Sequence, residues 1–244
     1  MSTSTPHVDP FLHGMHLPAA LARWLQITIV VLLPVVLILG AMRLIATDQY
    51  LAFEYNRPDF PPDRFGFDYT ERLNYASTTV RYMRDGLSLN TLADLQWKGQ
   101  PLYNDRELIH MQDVQNVYQS TSLVWMLALT LVLLGAFTLG WRRENRLALA
   151  TGLKRGGLLT ASLVGGVGLL AIIGWQLWFD TFHRIFFAPG TWTFNMSDAL
   201  IRLVPEKFWF DTALSLAGLS VIGGLLVALI GWSLQRRWRV PVKP

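Results

Sequence analysis

There is no cysteine among the 244 residues. Disulfides, thiol nucleophiles and cysteine-ligated metals are excluded, so order in the polar segments must come from packing. Charge is scarce as well: 16% of residues are charged, against about a quarter in an ordinary soluble domain. Outside the N-terminal tail there are only two histidines, His110 and His183. The H-E-x-x-H of metalloproteases and the G-x-S-x-G of serine hydrolases are both missing. Covalent serine catalysis therefore has no motif. A metal site would have to draw on His110, Asp113 and His183, a weak signal because the ligands lie far apart in sequence.

What fills the chain instead is hydrocarbon. Four apolar runs, about Trp24 to Leu44, Leu123 to Trp141, Leu158 to Trp178 and Thr212 to Trp232, can each cross ~30 Å of bilayer as a helix. Trp24, Trp141, Trp178 and Trp232 stand at their ends, as in an aromatic belt. The first run is too long and too late for a cleaved signal peptide and is expected to remain as an anchor. Arg142, Arg143, Arg146, Lys154 and Arg155 face a single acid, Glu144, between the second and third runs. The C-terminal tail adds Arg236, Arg237, Arg239 and Lys243. Both segments read as cytoplasmic. The loop after the first run carries seven basic residues against eleven acids, and the last loop, through Asp211, carries three against four. Both of those loops read as external. The net charge of +4 and pI of about 9.6 arise in the cytoplasmic connections, so no nucleic-acid partner is implied.

The expected fold is an all-α polytopic membrane protein with four transmembrane helices, both termini cytoplasmic, and a small external cap between helices 1 and 2. Its divisions are a tail over 1–22, spans over 23–46, 119–141, 157–179 and 211–233, the cap over 47–118, a cytoplasmic loop over 142–156, an external loop over 180–210, and a tail over 234–244. Within the cap, Tyr50 to Phe65 reads as irregular or extended because of Pro58, Pro61 and Pro62. Asp68 with Glu71 has capping-box spacing, and Leu73, Ala76, Val80, Met83 and Leu87 recur at steps of three and four, giving an amphipathic helix over about 68–86. Lys98-Gly99 marks a hairpin turn. Asn104 with Glu107 is a second capping box, opening a helix near Asp105 that runs without proline or glycine into the second span.

Each of the two histidines sits where a polar loop meets a span. His110 lies about nine residues, ~14 Å, before the span, and His183 about five residues, ~8 Å if helical, after the third. On one face of the bilayer they would meet at the headgroup level as a pair titrating near neutral pH. A single interfacial histidine is more often an amphipathic filler; two on one face change that balance. Asp113 shares a helix face with His110 and could hold its imidazole in one tautomer. Trp175, Trp178, Phe179, Phe182, Phe186, Phe187 and Trp192 read first as interfacial belt and core, and would also suit acyl chains. Arg43 and Arg184 are placed to snorkel to phosphates or to hold a substrate headgroup.

The run Glu107-Leu108-Ile109-His110-Met111-Gln112-Asp113-Val114, the block Phe179 to Phe187, Trp192-Thr193-Phe194, and Leu200 to Trp209 resemble the lipoprotein intramolecular transacylase family, formerly a domain of unknown function. The resemblance implies acyl transfer within one diacylglyceryl-modified lipoprotein at the bacterial cytoplasmic membrane, on its extracytoplasmic face. The sn-2 acyl chain moves to the α-amino group of the N-terminal cysteine, giving the lyso-form. His110 and His183 are implied as catalytic, with His110 as base and His183 as proton donor, or the reverse. Asp113 and Arg184 are expected to support them, and Trp178, Phe182 and Trp192 to line the substrate. The implied partners are a diacylated lipoprotein N-terminus and membrane lipid, with no metal and no soluble cofactor. Two rivals from other classes stay open: a non-catalytic lipid- or peptide-binding membrane protein, and a metal-dependent membrane hydrolase. The charge asymmetry makes a direct test available. Reagents added to intact cells should label positions near Asp85 or Trp192 and not positions near Arg146 or Arg237; labelling near Arg146 from outside would reverse the placement of both histidines.

Overall fold

A computed structural model describes residues 17–239. The chain forms α1 (Ala19–Ile45), α2 (Asp48–Tyr55), α3 (Tyr69–Asp85), α4 (Asn90–Ala93), β1 (Gln96–Trp97), β2 (Gln100–Pro101), α5 (Asp105–Trp141), α6 (Arg146–Ile173), α7 (Trp175–Phe186), α8 (Ala199–Leu203) and α9 (Glu206–Arg239). Four of these, α1, α5, α6 and α9, are long and apolar enough to cross a membrane, and the chain is a multi-pass helical membrane protein. α6 packs chiefly on α9, and α1 lies against both α5 and α6. The α6–α9 seam is made of small residues: a Cβ added at Gly157 would collide with the backbone of Gly224 and Ala228, and one at Gly231 with the backbone of Lys154. In lipid, where helices gain little from hiding hydrocarbon, such close backbone approach supplies the packing attraction.

Both capping boxes form, at Asp68 with Glu71 and at Asn104 with Glu107, and α5 continues unbroken to Trp141. α3 stops at Gly86, whose φ of 66° is the left-handed conformation of a helix-ending glycine. The hairpin turns at Lys98 (φ 52°) and Gly99 (φ 76°). Elsewhere the structure departs from expectation for identifiable reasons. Residues 48–55 are helical rather than irregular, because Thr47 accepts a hydrogen bond from the amide of Tyr50 and the prolines come only afterwards. The connection after α5 is a short 3-10 turn at Arg143–Asn145, and α6 begins at Arg146, since no proline stops the helix there. The third apolar run breaks at Gly174, so that its last turns belong to a separate helix, α7. The tail residues 1–16 and 240–244 lie outside the described residues.

The polar elements form a cap with its own core. Leu51, Tyr55, Phe67, Ala76, Tyr82, Leu92, Tyr103, Met111, Leu200, Leu203 and Phe208 are buried in one cluster drawn from α2 through the start of α9. Buried guanidinium groups tie it together. Arg202 makes a forked pair with Asp63 at 3.0 and 3.1 Å and stacks on Phe67 at 3.6 Å. Arg72 donates to the Arg202 carbonyl at 2.6 Å and to the Pro61 carbonyl at 2.7 Å. Gln115 and Gln119 of α5 donate to the carbonyls of Tyr82, Leu87, Met83 and Arg84, satisfying the orphan end of α3. The first four turns of α5 therefore belong to the cap, ahead of the apolar run that starts at Leu123. Substituting Gly157→Ala should lower thermal stability in detergent by about 1–3 kcal/mol through overpacking. Gly166→Ala, which meets nothing within 4 Å, should be neutral or slightly stabilising. Equal melting temperatures for the two variants would contradict the packing described.

Candidate active site

His110 is carried on the second turn of α5, and His183 on the third turn of α7. α7 is strongly amphipathic, and His183 is the one residue in it that is buried. The two imidazoles come together: their centroids are 6.5 Å apart and their planes 22° from parallel. Both are nearly closed off from solvent, at 8% and 9% exposure. Aromatic rings make up the walls. Phe187 and Phe194 meet the His110 ring edge-on at 4.8 and 5.3 Å. Phe179, Phe182, Phe187 and Trp192 surround His183 at 4.1 to 5.6 Å.

Two hydrogen-bonding facts set the chemistry. His183 Nδ1 lies 2.8 Å from the Phe179 carbonyl, one turn back on α7. A carbonyl can only accept, so Nδ1 carries the proton and Nε2 of the neutral ring is left as the acceptor. His110 Nδ1 is buried with no partner among the described residues. Burial, and secondarily the neighbouring His183, push the His110 imidazole down to about 4. Burial also lowers His183, opposed by its bond to the Phe179 carbonyl and by the charge of Asp180. Both rings lie outside the four long apolar runs and rest uncharged at neutral pH. Each can accept a proton, and neither is held by a carboxylate.

The remaining expected residues divide. Phe182 touches His183 at 5.5 Å, and Trp192 does so at 4.9 Å. Trp178 stacks on Phe182 at 5.7 Å and on Trp175 at 5.4 Å, and makes no ring contact with either histidine. It lines an apolar cleft of about 280 Å³ between α6 and α9, together with Leu163, Val167, Trp175, Phe210 and Ala217. Asp113 does not hold the His110 imidazole: it makes no hydrogen bond or ion pair among the described residues, and His110 Nδ1 has no partner there. Half-exposed, the carboxylate keeps its hydration instead. Arg184 is exposed beside His183, without a hydrogen bond or ion pair among the described residues. Arg43 is engaged within the bundle, donating to Ser122 at 2.9 Å and lying over Trp125 at 4.9 Å. No group of three His, Cys, Asp or Glu side chains among the described residues is placed to hold an ion.

Glu107 is the residue whose role sequence reading did not reach. Besides closing the capping box, its second oxygen accepts from the Leu200 amide at 2.7 Å, which fastens the segment after α7 to α5 one turn before His110. The capping pattern showed half of this, and the long-range half leaves no local signal.

The fold and the site define a multi-pass helical membrane protein with a buried histidine pair where a polar cap meets the spans. A sequence model of the lipoprotein intramolecular transacylase Lit matches residues 27–209, most of the chain, and the chain belongs to that family. A protein of Aquifex aeolicus, described as uncharacterized, is 28% identical over 219 residues, covering 86% of this chain and 94% of its own. The in meso structure of the membrane integral lipoprotein intramolecular transacylase Lit from Bacillus cereus superposes with a TM-score of 0.68 at 16% identity, covering 90% of this chain and 98% of that one. A histidine-to-arginine variant of the same protein gives 0.61 at 17% identity, covering 90% and 94%. At these identities the structures establish the shared fold.

Because both folded-state pKa values lie below the usual 6.5 of imidazole, the unfolded chain takes up these protons first. Their stabilising effect is complete above about pH 6.5 and is lost as the pH falls toward 4. Titration of isotope-labelled histidine by NMR in micelles should place His110 near 4. A midpoint at the ordinary 6.5 would show that the ring is hydrated.

Proposed function

We propose that this chain moves the sn-2 acyl chain of a diacylglyceryl-modified lipoprotein to the α-amino group of that lipoprotein's N-terminal cysteine. The product is the N-acyl, monoacylglyceryl lyso-form, made on the extracytoplasmic face of the bacterial cytoplasmic membrane. Membership of the family supports transacylation. The observation that carries the reading is the pair of uncharged, buried imidazoles 6.5 Å apart in an aromatic pocket where the cap meets the spans. Nucleophile and ester belong to one substrate, so no covalent enzyme nucleophile is required, only folding of the substrate into a near-attack geometry and management of two protons.

The tautomer favours His183 as the base. Its free Nε2 takes the amine proton as the nitrogen attacks the ester carbonyl and the C–N bond forms. As the tetrahedral centre collapses, the bond from carbonyl carbon to glyceryl oxygen breaks. His110 gives the proton on one ring nitrogen to that oxygen as its other nitrogen takes one from the His183 imidazolium across the pocket. The amine proton thus ends on the glyceryl hydroxyl, and both rings return uncharged. The same desolvation that lowers the histidines favours the free amine over the ammonium. The aromatic walls and the apolar cleft beside Trp178 suit the acyl chains.

Mass spectrometry of the N-terminal lipopeptide of a reporter lipoprotein, expressed with and without this chain, should show the N-acyl lyso-form only with it. His110→Asn or His183→Asn should each slow its formation by about 10² to 10⁴, as expected for loss of a general acid or base, with little change in melting temperature. An unchanged lipid state in the presence of the chain would sink the proposal. Loss of the sn-2 acyl chain without N-acylation, abolished by a chelator, would favour a metal-dependent hydrolase.

A further inference from the structure

The pocket holds a third polar group that the acid/base account leaves unused. Trp192 Nε1 is buried and, like His110 Nδ1, has no hydrogen-bond partner among the described residues. Its ring lies 4.9 Å from that of His183. An indole N–H only donates, and a buried donor without an acceptor costs free energy. The neighbouring walls are hydrocarbon rings, and His183 Nδ1 already holds the nearby Phe179 carbonyl. We infer that the Trp192 indole N–H is a catalytic group that donates to the carbonyl oxygen of the ester under attack, an inference that rests on the acyl-transfer reading above.

The chain around Trp192 is built to hold it in place. A turn at Ala188 to Thr191, closed by the Thr191 hydroxyl donating to the Ala188 carbonyl at 2.9 Å and using Gly190 at φ 85°, starts the segment. Asp198, accepting from the Asn195 amide at 2.7 Å and pairing with Arg106 at 3.2 Å, ends it. Between these anchors residues alternate: Trp192 and Phe194 are half-buried, while Thr193 is exposed. One ring is thereby set against each histidine, Trp192 on His183 and Phe194 on His110. Of the two rings only the indole has a donor. The ester oxygen gains negative charge as the carbonyl carbon becomes tetrahedral, and a fixed, desolvated N–H is worth most at that moment.

Full-length chain in lipid nanodiscs, supplied with a synthetic diacylglyceryl lipopeptide bearing a free α-amine, provides the test. Trp192→Phe keeps an aromatic wall and removes only the donor. The rate of N-acyl product formation should fall about 10² to 10³-fold in kcat, with KM changed only a few-fold, as for loss of one oxyanion donor. If that variant melts early, a benzothienyl side chain at position 192, which replaces N–H by sulfur at nearly constant shape, takes its place with the same expected loss. A rate within about threefold of the parent chain for either folded variant would overturn the role of Trp192 while leaving the acyl-transfer reading intact. A parent chain that makes no N-acyl product at all would overturn that reading and this inference with it.

Discussion

Everything else in this structure depends on removing two imidazoles from water and keeping them beside each other. A charged imidazole is penalised in such a site and an unpaired polar atom is costly, so the pocket holds its histidines uncharged and available rather than neutralised by an acid. The bond from His183 Nδ1 to the Phe179 carbonyl is what makes this state usable, since it fixes one tautomer on a rigid helix. His110, lacking any such bond at Nδ1, is held by shape through Phe187 and Phe194.

The rest of the fold positions these two rings. α5 runs from cap to span as one helix, so His110 is placed by both. The break at Gly174 lets α7 leave the line of α6, and Trp175 anchors its start through the Phe210 ring at 5.1 Å and a 3.0 Å bond to Glu206. Glu107 then fastens the segment after α7 to α5. The close-packed seam of α6 and α9 below gives both helices a stiff base. Rigid elements on both sides suit a reaction whose catalytic requirement is positioning.

Much of this could be read in the sequence because its causes are local. Capping boxes at Asp68 and Asn104, the Lys98-Gly99 turn and the four apolar runs depend on neighbours a few residues apart, and the absence of a breaker from Asp105 onward carried His110 to a definite height above the span. The pairing of His110 with His183 followed from that height together with charge asymmetry. What escaped depends on distant contacts. Helix α2 was obscured by the prolines that follow it, and the Arg202 to Asp63 pair joins residues far apart in the chain. Asp113 lay on the expected face of α5, yet spacing alone could not reveal that its carboxylate would stay half-exposed and apart from the histidine. The tautomer of His183 depends on a carbonyl four residues back that no side-chain pattern records.

The central claim is that the two histidines work as one proton-handling unit, and it is tested most directly by combining their substitutions. Rates of N-acyl product formation would be measured for His110→Asn, His183→Asn and the double variant in the same membrane preparation. Groups acting as a unit are strongly non-additive, so the double variant should be no more than a few-fold slower than the slower single one. Losses that multiply across the two positions would mean that each ring acts independently, and would contradict the shared pocket as the seat of the chemistry.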